Sequence, residues 1–85
     1  MEKGSYLLIK RGMHVVGEDG AIGTVSDVIA DYESDVFRGI VVSHGLILPK
    51  QGFVSADSVV RVDNDAVQVS VTKQQADHLP LPDVY

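Results

Sequence analysis

Gly12-Met13-His14-Val15-Val16-Gly17-Glu18-Asp19-Gly20-Ala21-Ile22-Gly23-Thr24-Val25-Ser26-Asp27-Val28 is the stretch that decides the fold. Residues 13–16 read as a short apolar strand. Gly17-Glu18-Asp19-Gly20 interrupts it, and an Asp-Gly pair tolerates the positive φ that a tight hairpin turn requires. A second strand is predicted over residues 22–30. Its alternation slips near Asp27, because Val25 and Val28 are an odd number of residues apart. Both valines face one side only if the strand carries an extra residue, so the slip predicts a β-bulge, a device by which small barrels curve.

Downstream the same grammar repeats. Asp31-Tyr32-Glu33-Ser34-Asp35 is a polar connection, and residues 36–43 form a third strand. Within it Ile40-Val41-Val42 is a continuous apolar run, the pattern of a strand buried on both faces. His44-Gly45 turns the chain, Leu46-Ile47-Leu48 reads as a short fourth strand, and Pro49 ends it because proline cannot donate to a ladder. Lys50-Gln51-Gly52 reads as a second turn, Phe53-Val54 resumes extended structure, and residues 55–58 fit one helical turn. Residues 59–62 and 66–71 form a hairpin around Asp63-Asn64-Asp65, with Val67, Val69 and Val71 alternating with Gln68 and Ser70. Thr72-Lys73-Gln74-Gln75 fits a capping box, predicting a helix of about two turns that Pro80 stops.

Five to six short antiparallel strands at this spacing, with a short C-terminal helix, predict an all-β fold: a small, partly open barrel of SH3-like kind. Residues 1–8 are read as an N-terminal extension, 9–79 as the domain and 80–85 as a tail.

The composition narrows the function. The chain has 85 residues, room for one domain, and a domain that small buries only roughly 60–65% of its unfolded surface. Three Tyr, two Phe and no Trp leave an aliphatic core, dominated by β-branched valine, which suits pleated strands. Net charge is −5, from 12 acidic and 7 basic side chains, a sign that repels phosphate backbones unless the cations are gathered. The absence of cysteine excludes disulfides and thiolate metal sites and fits a reducing compartment. No apolar run approaches the roughly 20 residues needed to span a bilayer, and the Tyr6-Leu7-Leu8-Ile9 stretch is too short for a signal sequence. A cytoplasmic protein is expected.

The opening stretch resembles the start of a PRC-barrel domain, whose pattern is a G-x-x-V strand, a D-G turn and then I-G-x-V-x-D-V. Residues 36–42 resemble its v-x-g-l-v-V strand. Leu46-Ile47-Leu48-Pro49 with residues 53–59 resembles the segment that reads i-P-x-x-x-V, and residues 67–71 fit the last strand. The likeness covers roughly residues 9 to 75. The family includes the cytoplasmic domain of the photosynthetic reaction-centre H subunit, the C-terminal domain of a ribosome-maturation factor and small stand-alone proteins, some tied to archaeal cell division. The resemblance implies a scaffold that docks on other proteins and often self-associates. With no membrane helix and no partner domain ahead of the barrel, a stand-alone member is expected.

No residue group argues for chemistry. Asp31, Glu33 and Asp35 alternate like calcium ligands, but position 6 of that loop is Val36 rather than Gly and position 12 is Val42 rather than Glu. Asp27 is expected to accept backbone N–H groups at the bulge. His14, His44 and His78 fall on separate elements, and no Ser, Lys or His sits in a nucleophile motif. Gly17, Gly20 and Gly23 have phosphate-loop spacing, but a strand rather than a helix follows. The same stretch loosely resembles a KOW motif, whose RNA-binding loop is lysine-rich. Here residues 12–37 hold six acids and no Lys or Arg. No enzyme activity, cofactor or metal is therefore expected.

Leu46, Ile47, Leu48 and Phe53 flank short turns in a domain too small to hide them all, and they are the candidate partner-binding residues. The expected function is a protein-interaction and assembly module that forms a homodimer and docks on another protein. An RNA-binding small barrel is the alternative.

Overall fold

The structure, a computed structural model, describes residues 5–45, 50–63 and 65–81. Among them six strands form one sheet: β1 (His14–Gly17), β2 (Gly20–Asp31), β3 (Val36–His44), β4 (Lys50–Ser55), β5 (Val59–Val62) and β6 (Ala66–Val69). Their order is β4-β3-β2-β1-β6-β5, so β4 and β5 are the two edges and the barrel is partly open. A 3-10 turn, Ala56–Ser58, joins those edges at the opening. All neighbour pairs are antiparallel except β1–β6, which is parallel. The all-antiparallel expectation fails there because β6 closes onto β1 from across the barrel, a pairing no local hairpin dictates.

The predicted bulge is present. Val25 pairs with Val42 and Asp27 with Val41, which leaves Ser26 as the extra residue. Both Val25 and Val28 therefore turn inward, Val25 as core and Val28 packed against it. A second shift leaves Arg38 unpaired in β3 and returns Phe37 to the inner side. A third, between Val15 and Val16, bends the β1–β2 hairpin. Each bulge adds local twist, and together they roll a single sheet toward closure.

The core is aliphatic: Val15, Val25, Ile40, Val42, Val54, Val59, Val67, Val69 and Val71 are buried together. Tyr6 and Ile9 join them, so the 3-10 turn Ser5–Leu8, within the stretch read as an extension, contributes to the core. Tyr6 stacks on Phe37 at 5.3 Å between ring centroids and donates its hydroxyl to the Asp35 carboxylate at 2.7 Å.

Two local expectations are corrected. Lys50-Gln51-Gly52 is not a turn but the first half of β4, pairing with His44, Ser43 and Val42. Gly52 is a packing glycine: a Cβ there would lie 2.5 Å from the Leu79 Cβ. The capping box forms as predicted, with Gln75 N–H donating to the Thr72 hydroxyl and Thr72 N–H to the Gln75 side chain. The helix it starts, α1 (Lys73–Ala76), is one turn long rather than two. His78 N–H bonds back to the Gln75 carbonyl and the chain then extends, which carries Leu79 onto Gly52. The short strand expected over Leu46, Ile47 and Leu48 lies outside the described residues.

Candidate interaction surface

Around Ile29, Val41 and Phe53 the β2–β3–β4 half of the sheet is apolar on both sides. Period-2 alternation turns Ile40, Val42 and Val54 into the core. It turns Gly39, Val41 and Phe53 to the opposite face, where Val41 pairs with Phe53 and Ile29 with Gly39. Val41 is 0% exposed yet stands outside the main core cluster. The continuous run Ile40-Val41-Val42 is thus buried on both faces, as its sequence implies. The Phe53 ring lies across Gly39: a Cβ on Gly39 would come within 2.7 Å of it.

Beside this ring runs an open groove of about 800 Å³, lined by Ile29, Val36, Phe53, Pro80 and Leu81, with Arg38 and Asp57 as its charged side chains. Val36 and Leu81 are exposed. Arg38 makes no ion pair within 4.0 Å among the described residues. The C-terminal segment borders the groove: Leu79 sits over Gly52, and the Phe53 N–H donates to the Pro80 carbonyl at 2.6 Å.

Of the four candidate partner-binding residues, Phe53 is at this groove, while Leu46, Ile47 and Leu48 lie outside the described residues. Sequence reasoning missed Ile29, Val36, Arg38 and Leu81. The signal was present only for Ile29, which the bulge at Ser26 places on the outer face. Nothing local places the tail against β4.

The polar candidates resolve into turn and bulge chemistry. Asp27 accepts the Val28 N–H at 2.9 Å and pairs with exposed Arg11 at 3.2 Å, a contact of about 0–1 kcal/mol. Asp31 accepts the N–H groups of Glu33 and Ser34 at the β2–β3 turn. Ser34, through its side chain and backbone, holds the Asp31 carboxyl below the usual carboxylate range. Asp35 stands at φ 56°, a conformation Asp tolerates better than most residues. Among the described residues no group of three or more His, Asp or Glu is placed to hold a metal. His44 faces Asp77 at 3.8 Å, His14 starts β1 beside Lys10, Arg11 and Asp65, and His78 follows α1. Gly17, Gly20 and Gly23 belong to the β1–β2 hairpin.

One titration has a measurable consequence. The hydrogen bond to Asp35, then burial, then nearby negative charge push the Tyr6 phenol from 10.0 up to about 12. A raised pKa stabilises the fold fully below the unfolded value, and that contribution disappears as pH rises through the folded value. The advantage of the wild type over Tyr6→Phe is therefore expected to be flat below pH 10.0 and to shrink on the way to about 12. Paired urea titrations across this window check it. A difference that stays constant through the window would mean that Asp35 does not hold the phenol.

No helix among the described residues is long and apolar enough to cross a membrane. A search of curated proteins finds no match to the chain. The family model for the PRC-barrel domain matches residues 11–76 of the 85. That match spans the sheet from β1 through β6 and ends with α1. The chain belongs to the PRC-barrel domain family.

Proposed function

We propose that this domain is a non-catalytic interaction and assembly module that self-associates and docks on another protein through the outer face of β2–β3–β4. The observation that carries this reading is the apolar groove beside Phe53, with exposed Val36 and Leu81 at its sides. An apolar concavity on a face that an isolated barrel would leave wet is the usual mark of a contact surface. A non-catalytic role agrees with the titratable groups. Tyr6 apart, no side chain with a polar group is buried among the described residues, and the shifts at Tyr6 and Asp31 follow chiefly from structural hydrogen bonds. A cytoplasmic setting belongs to this reading, since the chain has no cysteine. RNA binding is disfavoured by a net charge of −5.

Light scattering coupled to gel filtration tests self-association. The full chain is expected to rise from the monomer mass of 9.2 kDa toward twice that value in the high micromolar range. Phe53→Glu, which puts a charge into the groove, is expected to stay monomeric with an unchanged circular dichroism spectrum. A wild-type chain that remains at 9.2 kDa throughout removes self-association from the reading.

A further inference from the structure

The two sheet edges are protected in different ways. On β5 the protection is built into the strand. Val60 is an extra residue between Val59 and Arg61, and exposed Arg61 pairs with Asp63 at 2.8 Å. A bulge and a charge blunt an edge permanently. On β4 the protection among the described residues is one hydrogen bond, from the Phe53 N–H to the Pro80 carbonyl.

That bond fixes what the edge still offers. In an antiparallel ladder a residue directs its N–H and C=O to the same side. The Phe53 carbonyl therefore points away from β3, toward the C-terminal segment. If that segment runs antiparallel to β4, the N–H that would complete the pair belongs to residue 80. If it runs parallel, the N–H belongs to residue 82. Both are proline and have no N–H to give. In either direction a regular ladder pairs the Phe53 donor and has no N–H to offer the Phe53 acceptor.

We propose that the β4 edge is a strand-addition site for an extended partner segment, and that the segment Leu79–Leu81 is its displaceable cap. The ligand class follows from the same contacts. It is an extended peptide with a non-proline residue opposite Phe53, able both to accept from and donate to the Phe53 backbone. An apolar side chain next to that residue takes the place of Leu81 in the groove. Such a peptide makes one backbone bond more than the tethered segment does, which offsets part of the advantage of tethering. This inference rests on the docking reading above and names the kind of partner segment that docks.

The test uses the full chain and amide hydrogen exchange read by NMR. Val54 lies one residue along and directs its N–H toward β3, so it reports opening of the ladder. Phe53 is expected to exchange faster than Val54, because release of the tail alone exposes it. Pro80→Ala with Pro82→Ala supplies the missing donor and is expected to slow Phe53 exchange relative to Val54 by about fivefold, the factor one net hydrogen bond is worth.

Acetylated Leu-Ala-Leu-Ala-Asp-Val-Tyr added to the unmodified chain is expected to shift the Phe53 amide resonance. The same peptide with its two prolines restored is expected to bind about fivefold more weakly. If the double variant does not fold, the two peptides on the unmodified chain still decide the matter. Phe53 exchanging in step with Val54 would overturn the proposal, as would two peptides that act alike or leave the Phe53 amide unmoved. A dimer abolished by Phe53→Glu alongside failed peptide binding removes this inference alone. A monomer that binds the alanine peptide removes only self-association.

Discussion

Ile40→Ala is expected to destabilise the domain by about 2–5 kcal/mol. Ile40 is fully buried at the centre of β3, the strand between β2 and β4, where it pairs with Val28 on one side and Val54 on the other. Its neighbours are β-branched valines, stiff at χ1, which do not swing into a vacated space. The cavity term therefore persists beside the lost transfer energy. A domain of this size holds about 5–15 kcal/mol in total, so this one side chain accounts for a large share. Urea unfolding should show a lower midpoint with an unchanged slope. Ile40→Val, which removes one methyl group, should lower stability by about 0.5–1.5 kcal/mol. An alanine variant within about 0.5 kcal/mol of the wild type, the range of ordinary surface changes, would mean that the core is not organised around β3.

Gly39→Val is expected to be of similar size for the opposite reason, excess of matter. Gly39 sits at φ 152°, backbone that L side chains rarely adopt. A Cβ there would be driven into the Val54 carbonyl oxygen, which is backbone and cannot rotate aside. It would also press on the Phe53 ring. Strained backbone at about 1–3 kcal/mol and overpacking at about 1–3 kcal/mol together give about 2–6 kcal/mol. The same variant lifts Phe53 off the outer face, so solution mass and stability should both change. A Gly39→Val chain that keeps wild-type stability would show that β3 and β4 separate freely at this point.

Much of the fold was legible because it follows from neighbours in sequence. The odd spacing of Val25 and Val28 required an extra residue, and Ser26 is that residue. Thr72 and Gln75 announced their reciprocal caps. Lys50-Gln51-Gly52 misled because glycine beside polar residues has the composition of a turn, whereas Gly52 is there to admit Leu79 from the far end of the chain. The helix after Thr72 was overestimated for a related reason. Propensity favours continuing it, but the contacts of Leu79 and Pro80 with β4 draw the chain out into extended form. Of the site, Phe53 was recognisable as an apolar side chain with too little core to enter. Arg38 and Leu81 were not, since each reaches the groove through a bulge or a chain crossing.

By itself the sequence determined an all-β domain of this family with an aliphatic core, hairpin turns, a bulged second strand and a capped helix start. Those features obey rules of one or a few residues: alternation, turn chemistry and caps. Tertiary structure alone decided that β6 runs parallel to β1, that Tyr6 enters the core, that Val41 is buried on the outer face, and that a proline carbonyl meets the Phe53 N–H on the β4 edge. Each of these joins residues far apart in the chain. Their pairing is selected by how the whole sheet buries its apolar surface, which no local pattern encodes.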